Sequence, residues 1–147
     1  MSAYRRILVA VDGSDAAARG LREAIRLAKA EDAQLFIVHV VNEFYAFASP
    51  DATVPVDIVP TLREGGRRIL AKAQAQAEKQ GVKAKSVMRE TVGGLAADVI
   101  VAEAKKQRAD LIVLGTHGRR GVRRLVLGSD AEQVVRGSSL PVLLVRA

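Results

Sequence analysis

The sequence predicts a parallel α/β fold, a three-layer α/β/α sandwich built on a five-stranded parallel sheet. Short, continuous apolar runs alternate with stretches of good helix formers, as in repeated βα units. Of the 147 residues, 49% are hydrophobic but only 3% are aromatic, so Val, Leu, Ile and Ala build the core. The length is that of one ordinary domain, and we predict a single domain over residues 1–147. Strands joined through helices need right-handed crossovers, which places helices on both faces of the sheet.

The first part of the chain contains two strands and the helix between them. The first strand is predicted over Arg5–Val11 and the second over Gln34–Val41. Ser14 or Asp15 can cap the intervening helix. The inner face of this helix consists of small and apolar residues at spacings of three and four: Ala17, Leu21, Ala24 and Ala28.

The middle of the chain begins with a long irregular connection, Asn42–Pro60, which holds three of the four prolines. Good helix formers then predict a helix over Thr61–Gln80, and Gly81 ends it. Val82–Glu90 follows as a third, weaker strand.

The last third of the chain holds two strands and two helices. We predict a helix over Gly94–Gln107, a strand over Asp110–Leu114, a loop over Gly115–Leu127, a short helix over Ser129–Arg136, and a last strand starting at Pro141. One face of the longer helix is predicted to carry Leu95, Val99 and Ala102.

The loop after the fourth strand carries the strongest functional signal. From Gly115 to Ser129 the sequence reads GTHGRRGVRRLVLGS, with four glycines and four arginines ahead of a helix. Glycines let backbone N–H groups approach an oxyanion, and a helix N-terminus adds unpaired donors and partial positive charge. The spacing is neither that of Walker A nor that of the Rossmann motif. The sequence therefore predicts a phosphate-binding loop of another kind, at the carboxyl end of the sheet.

The glycine spacing resembles that of the universal stress protein family: Gly115, two residues, Gly118, nine residues, then Gly128 and Ser129. The likeness extends to DGS after the first strand, HVV in the second and the closing PVLLV. It implies a Rossmann-like fold of the adenine nucleotide alpha hydrolase type. It also implies binding of ATP with Mg²⁺, because the branch of the family without ATP binding usually breaks this glycine pattern.

The resemblance also implies roles for individual residues. In the ATP-binding branch, the aspartate after the first strand, here Asp12, lies near the ribose. Backbone at the end of the second strand, here Val40, holds adenine, and the patterned glycines with Ser129 hold the phosphates. From the residues alone, Asp12 is also a good turn residue. Arg119 and the other loop arginines could either grip phosphates or form a solvated basic face.

Asp130 departs from what a phosphate site needs. A carboxylate beside phosphate oxygens is unfavourable unless it faces away or binds a metal. The run from Ser129 to Glu132 fits a capping box, and Asp130 in a first helical turn suits the helix dipole. We therefore expect helix capping as the main role of Asp130, compatible with phosphate contact by Ser129.

The remaining candidates have structural interpretations. His39 in an apolar strand is expected to be a hydrogen-bonded core histidine, and His117 a structural or exposed residue. No second His, Asp or Glu lies near His117 in the sequence to form a catalytic set. We expect at most slow ATP hydrolysis. Phe44, Tyr45 and Phe47 could form a lid over adenine or pack onto the helix layer.

The charge balance leaves alternatives open. The net charge of +7 favours anionic partners, or only solubilises the helix faces. The alternative to a nucleotide-binding stress regulator is therefore a basic module that docks nucleic acid or protein, although the loop arginines lack interleaved aromatics. A phosphoryl-transfer enzyme lacks its P-loop lysine here, and a receiver domain lacks its acidic pair.

Location and assembly are expected as follows. Cysteine is absent, and the apolar run Ile7–Val11 is too short for a signal peptide or a membrane span, so we expect a cytoplasmic protein. The family commonly pairs through its last strand. The apolar VLLV segment after Pro141 suits such an edge, which predicts a homodimer, with a regulatory protein partner that the sequence leaves unidentified.

Overall fold

The computed structural model describes residues 2–43, 58–116 and 127–146. The strands are β1 (Arg6–Ala10), β2 (Gln34–Asn42), β3 (Ala84–Thr91), β4 (Leu111–Gly115) and β5 (Val142–Val145). The helices of the described ranges are α1 (Asp15–Glu31), α2 (Ile58–Lys79), α3 (Ala96–Lys106) and α4 (Ser129–Gly137).

All five strands form one parallel sheet in the order β3-β2-β1-β4-β5. In the centre, Ile7 of β1 is paired with Leu35 of β2 on one side and with Leu111 of β4 on the other. The chain runs outward from β1 to β3, then returns to the other side of β1 for β4 and β5. The order therefore reverses between β1 and β4, and a crevice opens at their carboxyl ends. The predicted five-stranded parallel sheet is confirmed.

The sheet has a separate apolar core on each face. On one face, Ile7 and Val9 pack with Leu21 of α1 and Leu70 of α2. On the other face, Leu8 lies with side chains of α3 and α4 such as Ile100 and Val134. Alternate residues of β1 thus enter opposite cores, as a strand between two helix layers requires.

The predicted ends of two helices are confirmed. The Ser14 hydroxyl accepts a 3.1 Å hydrogen bond from the Ala17 N–H and caps α1. At the end of α2, Gly81 takes a φ of +79° and donates its N–H to the Glu78 carbonyl at 2.9 Å. A glycine adopts this left-handed conformation without the penalty that a side chain imposes.

The predicted inner face of α3 is wrong. Leu95 precedes the helix and is 49% exposed, Ala102 is exposed, and Val99 is only half-buried. The buried face instead carries Ala97, Ile100, Glu103 and Ala104. Two sets of positions at helical spacing compete in this segment, and the structure buries the set that contains Ile100. The helix starts at Ala96, two residues later than predicted, since Gly93 turns the chain with a φ of +71°.

Several boundaries also differ by a few residues. Helix α2 starts at Ile58, so Pro60 lies in its first turn, where a missing N–H leaves no hydrogen bond unmade. Asp110 precedes β4 and its carboxylate accepts the N–H groups of Arg5 and Arg6 at 2.9 and 3.2 Å. Over the described ranges, no helix has both the length and the apolar character needed to cross a membrane.

Candidate functional site

A cleft lies where the strand order reverses, at the carboxyl ends of β1, β2 and β4. Its rim is formed by the first turns of three helices, represented by Ala16 of α1, Ala96 of α3 and Ala131 of α4. Apolar side chains from the sheet and from α3, among them Val40 and Ile100, form part of its wall. Helix N-termini carry unpaired N–H donors and partial positive charge, so three of them together favour an anionic ligand.

The backbone N–H and C=O of Val40 point to the β1 side of β2, at a level beyond the end of β1. The Val11 N–H donates to the Val38 carbonyl at 2.9 Å, so the backbone groups of Val38 point toward β1. Backbone groups two residues apart on a strand point the same way, so those of Val40 do as well. Strand β1 ends at Ala10, which is paired with Val38. The N–H and C=O of Val40 therefore extend into the cleft, one donor beside one acceptor.

Asp12 shapes the turn between β1 and α1. Its Oδ1 accepts the Ser14 N–H at 2.9 Å, and the exposed carboxylate lines the cleft. Gly13 follows with a φ of +84°, which a side chain would strain. The turn role expected for Asp12 is present, and the same turn places its carboxylate at the mouth of the site.

Gly115 is held by packing against α1. A Cβ built on Gly115 would overlap the carbonyl oxygen of Ala16, and one built on Gly20 would lie 2.8 Å from the Gly115 nitrogen. Helix α1 and the end of β4 thus meet backbone to backbone. The sequence predicts phosphate binding for Gly115 but not this packing contact, for which the position of Gly20 on the inner face of α1 is the signal.

The predicted capping box of α4 is wrong. The N-cap residue is Gly128, whose carbonyl accepts the Glu132 N–H at 3.0 Å, and no side chain caps the helix. Ser129 is the first helical residue and is exposed, while Gly128 is buried. Glu132 pairs with Arg136 at 2.7 Å on the next turn. Since Gly128 and not Ser129 is the N-cap residue, the Ser129 hydroxyl does not cap the helix.

Asp130 lies in the first turn of α4 and lines the same cleft as Asp12. Its position at the helix N-terminus is electrostatically favourable, as expected. Within the described ranges, no group of three or more His, Asp or Glu side chains is placed to hold a metal ion. A cation here would need oxygen ligands from a bound molecule as well.

His39 has the structural role expected from the sequence. Its Nδ1 lies 2.7 Å from the Val11 carbonyl oxygen, which ties β2 to the end of β1. Helix α2 crosses the ring at Gly66, where a Cβ would lie 2.7 Å from the His39 Cδ2. The histidine thus braces the strand that carries Val40.

A buried ion pair anchors α3, whose first turn forms one wall of the cleft. Arg89 of β3 donates to Glu103 at 2.7 Å, and Gln107 donates to the same carboxylate at 2.8 Å. Burial raises the pKa of Glu103, but hydrogen bonds from Arg89 and Gln107 and the charge of Arg89 lower it by more, so that the pKa lies below its usual value. This pair was not predicted, because nothing in the sequence distinguishes Glu103 from an exposed residue of a helix.

Some predicted site residues lie outside the described part of the chain. These are Gly118, Arg119 and His117 in the glycine-rich loop, and Phe44, Tyr45 and Phe47 in the connection after β2. The structure thus brings Asp12, Val40 and Gly115 together around one crevice. Gly128 and Ser129 directly precede Asp130, which also lines this crevice. Ala96, Ile100 and Ala131 line it as well and were not predicted.

Comparison with known proteins identifies one family whose members resemble this chain. The sequence profile described as the universal stress protein family matches residues 3–146. A universal stress protein of Methanocaldococcus jannaschii is 38% identical over 148 residues, covering 97% of this chain and 82% of the relative. A crystal structure from the same family, from Burkholderia pseudomallei, has a TM-score of 0.80 and 35% identity, covering 98% of this chain and 97% of that one.

Two similar solved structures contain adenine nucleotides. A universal stress protein in complex with cAMP has a TM-score of 0.67 and 30% identity, covering 98% of both chains. A universal stress protein of Archaeoglobus fulgidus in complex with dAMP has a TM-score of 0.67 and 26% identity, covering 97% of this chain and 98% of that one.

Proposed function

The chain belongs to the universal stress protein family, and we propose that it binds an adenine nucleotide in the cleft between β1 and β4. The observation that carries this proposal is the backbone of Val40, whose N–H and C=O both extend into the cleft beyond the end of β1. Adenine presents a ring nitrogen acceptor beside an amino donor, so its edge matches this pair. The complexes of two relatives with cAMP and dAMP support the same ligand class.

The walls of the cleft suit a flat, apolar base. Its lining includes the apolar residues Val40, Ala96 and Ile100. Ligand pockets typically combine such apolar walls with a few placed polar groups. Asp12 at the turn after β1 is the proposed partner of the ribose, since its carboxylate is exposed at the cleft.

The phosphates are proposed to lie toward α4. Ser129 opens that helix with a hydroxyl that does not cap it, and the buried Gly128 lies directly before it. A helix N-terminus with free donors stabilises phosphate charge. Gly118 and Arg119 are proposed as further phosphate contacts from the glycine-rich loop. Gly115 contributes by letting α1 and β4 approach, which sets the start of that loop.

Mg²⁺ fits the donors of this cleft. Asp12 and Asp130 offer carboxylate oxygens, which Mg²⁺ prefers, and it is usually held by one or two carboxylates together with nucleotide phosphates. When bound, the ion would neutralise phosphate charge. The full proposal is therefore a cytoplasmic, ATP-binding stress-response regulator with at most slow hydrolysis, acting through a protein partner that the sequence does not identify.

A pair of variants on α3 tests whether this cleft is the nucleotide site. Ala96 lines the cleft, whereas Ala102 is exposed on the outer side of the same helix. We expect Ala96→Leu to fill the space of the base and to weaken ATP binding at least about tenfold, roughly 1.4 kcal/mol. Calorimetric titration of nucleotide-stripped protein measures this.

Ala102→Leu is the matched control, since it adds the same atoms to the same helix outside the cleft. It should bind ATP like the unmodified protein. If both variants lost ATP affinity equally, or if both bound ATP as tightly as the unmodified protein, the nucleotide site would lie elsewhere.

A further inference from the structure

A second groove lies between α1 and α2, the two helices that cover one face of the sheet. Where α1 presents Ala17 and Ala18 and α2 presents Ala73, these small side chains leave a space of about 300 Å³. The turn after β1 contacts α2 beside this space, because a Cβ built on Gly13 would lie 3.2 Å from the Ile69 Cδ1. The volume is at the lower end of the range for small-molecule sites, about 300–1,000 Å³.

The floor of this groove is apolar. Most of the described residues that line it carry hydrocarbon side chains: Val11, Ala17, Ala18, Leu21, Ile69 and Ala73. The uncharged polar members of the described lining are Ser14 and Gln76. The Ser14 hydroxyl is already engaged, since it accepts the Ala17 N–H as the cap of α1. A molecule lying in the groove would therefore transfer hydrocarbon out of water.

One rim of the groove is positively charged. Arg68 and Lys72 of α2 are the charged members of the described lining, and both are exposed. Neither forms an ion pair with another described residue, and the carboxylate of Glu64 nearby pairs with Arg67 instead. Like charges four residues apart on a helix oppose each other, so an anion between the two side chains would relieve their repulsion.

We propose that the groove between α1 and α2 binds a free, single-chain amphiphile with a carboxylate head, the chemistry of a medium-chain fatty acid. The hydrocarbon chain lies along the alanines of the floor, and the carboxylate accepts hydrogen bonds from Arg68 and Lys72. A free chain fits better than a membrane, because a recess between two helices receives one chain, whereas a bilayer presents a layer of headgroups. The site uses neither the nucleotide nor the cleft between β1 and β4.

The test is calorimetric titration of the protein with decanoate below its micelle concentration. We expect one saturable site. Hexanoate has the same head but buries four fewer methylenes, so it should bind at least about tenfold more weakly. Decyltrimethylammonium has a ten-carbon chain with a cationic head, which Arg68 and Lys72 would repel, and should also bind at least about tenfold more weakly.

A substitution that fills the groove locates the chain. Ala18→Leu places a larger side chain at the half-buried α1 rim and should weaken decanoate binding at least about tenfold. Ala30→Leu is the matched control, because Ala30 is exposed on the same helix and does not line the groove. Its affinity for decanoate should equal that of the unmodified protein.

A double substitution locates the head. Arg68→Gln combined with Lys72→Gln removes both rim charges and should weaken decanoate binding at least about tenfold. Arg67→Gln combined with Lys79→Gln is the control, since it removes two exposed cations from the same helix outside the groove. That control should change the affinity less than about twofold, because distant exposed charges are screened.

Each outcome decides the inference. Absence of saturable decanoate binding overturns it, also if the protein then sediments with phosphatidylglycerol vesicles, which would indicate a membrane contact instead. Equal affinity for decanoate and decyltrimethylammonium overturns the carboxylate assignment. If Ala18→Leu is folded by circular dichroism and binds decanoate as tightly as the unmodified protein, the chain lies elsewhere. If Ala18→Leu does not fold, the two double variants decide. ATP enters none of these measurements, so this inference and the proposed function fail separately.

Discussion

At the scale of single residues, Gly115 is a position of a phosphate-loop pattern that packing alone already requires to be glycine. The residue belongs to a phosphate-loop pattern, but a methyl group there would overlap the Ala16 carbonyl oxygen on α1. The need for glycine is therefore already explained by the contact between helix and sheet. Loss of nucleotide binding in a Gly115 variant would not by itself identify a phosphate contact, because the fold is altered first.

We predict that Gly115→Ala destabilises the protein by roughly 1–3 kcal/mol, since backbone must shift to admit the methyl group. Urea unfolding of the ligand-free protein measures this. Gly65→Ala is the control: no atom lies within 4 Å of a Cβ built on Gly65, and alanine is the better helix former in α2. The free energy of unfolding of that variant should rise by up to about 1 kcal/mol. Equal stability of Gly115→Ala and the unmodified protein would contradict the packing role.

At the scale of elements, strands were predicted well and helix faces less well. Each central strand is a continuous apolar run bounded by turn residues, and such a run has few alternative interpretations. Helix α3 offered two apolar faces at the same spacing, and only contact with the sheet selects the one containing Ile100. The cap of α4 is Gly128 and not Ser129, because Ser129 already belongs to the helix.

The site residues near strand ends were likewise predicted better than those on helices. Asp12 and Val40 were predicted from the family resemblance, and both lie near the carboxyl ends of strands, which meet at one edge of a parallel sheet. Ala96 and Ala131 were missed because small side chains carry no chemical signal; their part in the cleft depends on how α3 and α4 are docked. The ion pair of Arg89 with Glu103 joins residues of two elements, which spacing along the chain does not reveal.

The Arg89–Glu103 pair predicts how the docking of α3 depends on pH. The carboxylate of Glu103 is 4% exposed and its pKa is lowered in the folded state. A lowered pKa means that the pair stabilises the fold above the unfolded pKa of glutamate, about 4.3, and that this contribution is lost as pH falls through the folded value.

We therefore expect Glu103→Gln to lower the free energy of unfolding by about 1–2 kcal/mol at pH 7. This figure allows for the partial exposure of Arg89, which weakens the pair. Below about pH 4 the substitution should cost less. Urea unfolding across this pH range measures the difference. Glu64→Gln serves as control, because Glu64 and its partner Arg67 are both more than half exposed. A loss from Glu103→Gln that is the same at pH 3 and pH 7 would contradict the assigned charge effect.

At the scale of the whole molecule, β5 is the last strand at one edge of the sheet formed by the described residues. Among those residues it pairs with β4 alone, and Leu143 on it is 37% exposed. Unpaired apolar strand edges tend to be covered by another chain. The homodimer through the last strand remains a proposal that this edge supports.

We predict a dimer mass in light scattering at micromolar protein, and a shift toward monomer in Leu143→Lys, because a buried unpaired charge would weaken the interface. Val92→Lys is the control, since Val92 is 66% exposed and lies after β3, away from β5. A monomer mass for the unmodified protein would refute pairing through this edge.

The central claim is that the backbone of Val40 recognises adenine, and titration with ATP and ITP in parallel, both with Mg²⁺, tests it most directly. ITP keeps the size, ribose and phosphates of ATP, but it replaces the amino donor with an oxygen acceptor and the ring acceptor with an N–H donor. The ring N–H of ITP would then face the N–H of Val40, and its oxygen would face the C=O. ITP should therefore bind at least about tenfold more weakly than ATP. Equal affinity for the two nucleotides would contradict this recognition.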